Sequence, residues 1–228
     1  GVQNRVYSHL HYCSGQVAMT GDCISGHHDL AHYYLTSRKE KVLISQKNME
    51  FLLKKAHPLM DIYREERKKE LHASLLENAG KEGRRRRVLA VPDLGVLPKK
   101  LLEEILERNH VVLNEKTVIL ESYKRSATCL ETILKHSVVE DEVSVLSEAE
   151  YEKYPLVLPL AECFLEKDIR LTYEEYHACI GAAENYAKAN ENYQFNLTKI
   201  KGFHNIQITC FEGKWCMISK NRAPAIHF

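Results

Sequence analysis

Apolar positions in the first 82 residues recur at helical spacing. Val6, Leu10, Cys13 and Val17 fall three or four apart, and a segment opened by Asp29 carries Leu30, Tyr33 and Tyr34 on one side. After Ser45, a capping residue type, Met49, Leu52, Leu53, Ala56, Met60 and Tyr63 form a single stripe, which predicts the longest helix of this region with one buried face. Pro58 removes a backbone donor and clashes with the preceding turn, so a kink or break is expected there. The stripe gives way at Arg64–Glu70 to a charged run that reads as a solvated face.

Beyond Gly80 and Gly83 the period changes, which places a domain boundary at residue 83. Val88–Val91, stopped by Pro92, reads as a buried strand. Pro98 starts an amphipathic helix through Leu101, Leu102, Ile105 and Leu106, and a second helix runs from about Glu115 to His136. Ser147 with Glu150, and Thr172 with Glu175, have the spacing of capping boxes, the latter opening a helix with Tyr173, Tyr176, Ile180 and Ala183. Apolar and polar residues alternate in Tyr193–Thr198, and Asn205–Lys220 reads as a hairpin. With Glu212 and Gly213 as its loop, Cys210 faces Trp215, Ile208 faces Met217 and Ile206 faces Ser219. Residues 221–224 then read as a turn before a last strand. The fold class this predicts is α+β: a helical N-terminal part, then a small antiparallel sheet covered by helices.

Composition narrows the function classes. Of the 228 residues, 44% are hydrophobic and 28% charged, which excludes a disordered chain, and Lys+Arg 32 against Asp+Glu 31 gives no field to draw it onto nucleic acid or an anionic membrane. Seven cysteines, an odd number with no C-x-x-C pair, point to a reducing cytoplasm rather than a disulfide framework. No apolar run reaches the ~18 residues of a membrane span. The phosphate-binding, nucleophile-elbow and zinc-protease motifs are absent, so no catalytic residue and no cofactor is assigned. His9, His11, Cys13, Cys23, His27, His28 and His32 are ligand types, but their spacing matches no zinc module, and they read as ordinary residues. Arg84–Arg87 reads as a solvated linker rather than a phosphate grip. The amphipathic rings of Tyr123, Tyr173, Tyr176 and Tyr186, with Trp215, are candidates for the lining of a pocket, although a helix stripe of this kind is more often plain core.

The chain opens on Gly1-Val2-Gln3 and closes on the apolar run Ala223–Phe228, so a piece of a longer protein is expected. Its Trp215-x-Met217-x-Ser219-Lys220 string, followed by Pro224-x-Ile226-His227-Phe228, and its His57–Glu66 stretch resemble the C-terminal regulatory portion of bacterial helix-turn-helix transcriptional regulators of the XRE type. That resemblance implies an effector-sensing and dimerising domain in the cytoplasm, with a small-molecule or peptide effector, and operator DNA bound through a separate N-terminal module. Residues 1–83 would then be a helical connector and dimerisation region, and 84–228 the sensor. Tyr33, Tyr34, Met49, Leu52 and Leu53 are the expected homodimer interface. The alternative class is a small cytosolic enzyme built on the α+β part.

Overall fold

Alternation, not helical spacing, governs residues 6–36. In the computed structural model, which describes residues 6–13, 15–57, 59–165, 167–199, 205–220 and 225–227, three strands stand where helix was expected: β1 (Val6–Cys13), β2 (Val17–Ile24) and β3 (His27–Thr36). They form an antiparallel meander in which Val6 faces Ile24 and Gly21 faces Tyr33. The misreading has a simple cause. Positions four apart share a face in a strand as well as in a helix, so Val6 and Leu10 fit either period. Gly15 and Gly26, each in a turn between strands, are the signal that decides for the sheet. Helix α1 (Lys39–Lys55) packs on β1 and β2 through the side that carries Val42, Ser45 and Met49. It ends before the expected stripe does, and Pro58 lies outside the described residues.

The chain forms two compact units, Gly1–Leu59 and Met60–Phe228, so the expected boundary at residue 83 falls inside the second. That unit begins with β4 (Asp61–Tyr63) and α2 (Lys68–Ala79), continues through β5 (Arg85–Leu89), α3 (Lys99–Arg108), α4 (Leu113–Leu134), β6 (Val139–Ser144), α5 (Glu148–Lys153) and α6 (Tyr173–Ala189), and finishes with β7 (Tyr193–Thr198), β8 (Ile206–Phe211), β9 (Trp215–Lys220) and β10 (Ala225–His227). Its strands make one sheet in the order β4-β10-β9-β8-β5-β6-β7. The sheet is mixed, not purely antiparallel: β5, β6 and β7 run parallel, joined by helical crossovers, and the remaining neighbours are antiparallel. What holds α2 in this unit is hydrogen bonding across the supposed boundary. Arg85 Nη2 donates to the Asn78 carbonyl at 2.7 Å, and Trp215 Nε1 donates to Asn78 Oδ1 at 3.2 Å.

Residue parity divides the two faces of the sheet. Val139, Asp141 and Val143 of β6 are fully buried, whereas Glu140 on the other face takes ion pairs from Arg84 and Arg86. Against the buried face lies the core of α3 to α6, including Leu102, Ile105, Ile119, Leu130, Tyr176 and Ala183. Each such aliphatic side chain contributes roughly 1.5–3 kcal/mol by leaving water. Both predicted capping boxes are formed, at Ser147 and at Thr172. The hairpin register differs by one residue from the expected one. Phe211 faces Trp215, Cys210 faces Cys216 and Ile208 faces Ile218, because the loop is Glu212-Gly213-Lys214 with Gly213 at φ +70°. Three-residue hairpins need a left-handed residue, which glycine adopts without a Cβ penalty. Among the described residues no helix is long and apolar enough to cross a membrane.

Candidate functional site

The shifted hairpin register turns Gln207, Thr209, Trp215, Met217 and Ser219 toward the helices. With Arg85 and Arg87 of β5 they form one wall of a cavity of about 170 Å³ that opens to solvent. The facing wall comes from Leu71, Leu75 and Asn78 of α2 and from Ser122, Arg125, Ser126 and Cys129 of α4. Asp93 and Glu162, in short turns, close the ends.

A polar network stiffens the floor. Asp141, 0% exposed, accepts from Arg87 Nε at 2.6 Å, Arg87 Nη2 at 2.7 Å and the Tyr193 hydroxyl at 2.6 Å. Arg87 Nη1 reaches Asp93 Oδ2 at 2.7 Å, and Asp93 Oδ1 accepts from the Gly95 amide at 2.7 Å and Ser126 Oγ at 2.6 Å. Burial works against the charge on Arg87, yet Asp141 and Asp93 outweigh it and hold the guanidinium protonated. At the other end Arg125 Nη2 pairs with Glu162 Oε1 at 3.0 Å, and Ser122 Oγ donates to the same oxygen. Burial pushes the Cys129 thiol up to about 11, so it stays protonated at neutral pH.

Of the aromatic candidates for a pocket, Trp215 lines this cavity and the four tyrosines are core. The Tyr123 hydroxyl donates to the Leu97 carbonyl at 3.1 Å and that of Tyr176 to the Ser144 carbonyl at 2.5 Å. Tyr173 reaches the Leu146 carbonyl at 3.5 Å, and Tyr186 meets Tyr193 edge-on. These four rings pack in or against the helical core rather than in the cavity, with the hydroxyls of Tyr123, Tyr173 and Tyr176 on backbone carbonyls. The expected interface residues are divided between a helix and a strand. Met49, Leu52 and Leu53 lie on α1, while Tyr33 and Tyr34, successive in β3, point to opposite faces of its sheet. Tyr33 covers Gly21 across the strands, and Tyr34, Leu52 and Leu53 are exposed. Of Arg84–Arg87, expected as a linker, Arg85–Arg87 are strand, with Arg85 and Arg87 turned inward.

In the histidine-cysteine group, the side chains of His9, His11, Cys13 and His28 lie outside the described ones. Among the described residues no three His, Cys, Asp or Glu side chains are grouped to hold a metal ion. The cavity residues that sequence reasoning missed carry a faint signal. Ser122, Ser126 and Cys129 continue the stripe of Ile119, Leu130 and Ile133, so polar groups occupy core-facing positions of α4. Comparisons with protein-family models, with curated proteins and with solved structures return no match for this chain.

Proposed function

We propose that residues 60–228 form the ligand-sensing domain of a bacterial transcriptional regulator, and that the cavity between α2, α4 and the sheet receives its effector. Carrying this reading is one observation: an open cavity whose charged and hydroxyl groups are held in place by a buried network running from Tyr193 through Asp141, Arg87 and Asp93 to Ser126. Fixed polar groups in an otherwise apolar concavity are what small-molecule recognition requires. The regulatory context rests on the resemblance of the Trp215–Lys220 and His57–Glu66 strings, with operator DNA bound by a helix-turn-helix module outside this chain. Exposed apolar side chains on α1, among them Leu43, Phe51, Leu52 and Leu53, support a homodimer formed through the first unit. A cytoplasmic location fits the cysteine usage.

Sensing is favoured over catalysis by the state of the nucleophile types that α4 brings to the cavity. The hydroxyls of Ser122 and Ser126 are engaged as donors to carboxylates, and the Cys129 thiol is held neutral. Native mass spectrometry after incubation with a bacterial metabolite extract tests the proposal. A small molecule retained one per chain and released unchanged on denaturation is the expected result. A molecule converted during the incubation contradicts it in favour of an enzyme, and retention of nothing contradicts it outright.

A further inference from the structure

Resting on that reading of the cavity as a ligand site, we propose that its ligand is an organic anion, a carboxylate or phosphate head on an apolar body. The charges around the cavity do not cancel. Arg85, Arg87, Arg125 and Lys220 stand against Asp93, Asp141 and Glu162, an excess of one positive charge, and the ion pairs of Arg87 and Arg125 leave Arg85 and Lys220 without a carboxylate partner among the described residues. Lys220 stands exposed, but Arg85 is only 2% exposed. Its guanidinium lies 3.9 Å from the centre of the Phe211 ring and donates to the carbonyls of Asn78, in the last turn of α2, and of Lys81 and Gly83 in the turn that follows. Those groups are dipoles, which orient the cation and offset only part of its charge.

Stranded donors point the same way. Three buried side-chain polar atoms lack a partner among the described residues, and two of them, Arg125 Nε and Gln207 Nε2, belong to residues that line this cavity. Both carry N–H groups, so both call for an acceptor. A carboxylate or phosphate supplies several acceptor lone pairs and the missing negative charge at once. Neither side chain gives up a hydrogen bond at that atom in turning toward a ligand, and Arg125 keeps Glu162 through Nη2. The remaining lining, with Leu71, Leu75, Leu94, Leu130, Ile133 and Met217, is apolar and suits a hydrocarbon body. Its size is that of a short alkyl chain or single ring, since a dry cavity of ~150 Å³ already admits benzene.

Calorimetric titration of the intact chain compares octanoate, benzoate and octyl phosphate with their neutral counterparts octanamide, benzamide and octanol. The expected result is one site per chain, with the acids bound about tenfold or more tightly than the matched neutral compounds, as hydrogen bonds to a charged group imply. The tighter of octanoate and octyl phosphate identifies the head group. Gln207→Leu should weaken acid binding about tenfold while raising the unfolding temperature of the free protein, because it deletes an unpaired buried donor. Gln207→Glu should abolish acid binding, and Cys210→Ser, on the opposite sheet face, should leave it unchanged. Neutral compounds bound as tightly as the acids overturn the anion assignment and leave the site reading standing. Binding of neither kind overturns both. If the Gln207 variants do not unfold cooperatively, the comparison of acids with neutral compounds on the unaltered chain decides alone.

Discussion

Asp141 is the residue on which the cavity floor depends. It accepts three hydrogen bonds at 2.6 to 2.7 Å with no water contact, and it neutralises an Arg87 that would otherwise be a cation in the core. Breaking a buried ion pair from one side leaves the partner's charge uncompensated, so Asp141→Asn should lower stability by about 3 kcal/mol, the low end of the usual range because Asp93 remains. Urea unfolding measures it, and a loss under about 1 kcal/mol would show that the pair is solvated rather than buried. This pairing was half legible in the sequence. Four consecutive arginines look like a solvated run, yet strand alternation turns two inward, and Asp141 sits at the matching inward position of Val139–Ser144. No local pattern says that two strands 54 residues apart will be parallel neighbours, so the partner could not be named.

At the scale of elements, Gly95 sets how closely the Leu94–Val96 turn approaches α4. A Cβ there would stand 2.9 Å from the Ala127 nitrogen and 2.9 Å from the Ser126 carbonyl carbon, both rigid helix backbone. Gly95→Ala should therefore push the turn off the helix, costing about 1–3 kcal/mol as an overpacked contact does and moving Asp93 away from Ser126. Unaltered thermal stability of this variant would mean that the turn can shift freely. Elements whose signals are local were read correctly: α3 after Pro98, α4, the capped α5 and α6, and the strand at Tyr193–Thr198. Where two periods fit the same residues, as in residues 6–36, the helical reading failed. The hairpin failed by one residue because loop length, not hydrophobic pattern, fixes its register, and both strands are apolar enough to satisfy either pairing. That slip hid the cavity, since the expected register would not have placed Gln207, Thr209 and Trp215 on one wall.

For the whole molecule, the second unit resolves into one sheet with helices on a single face, and the cavity falls where that helical cover changes from α2 to α4. The expected boundary missed this because Gly80 and Gly83 mark a turn within the unit, crossed by the hydrogen bonds of Arg85. The central claim is that this cavity is where the protein binds its ligand. Trp215 is the chain's single tryptophan and lines that cavity, so its fluorescence reports on the site alone. Titrating octanoate should shift its emission along a saturable curve whose midpoint matches the calorimetric dissociation constant. An emission spectrum that stays unchanged while calorimetry shows saturation would place the binding elsewhere and contradict the account.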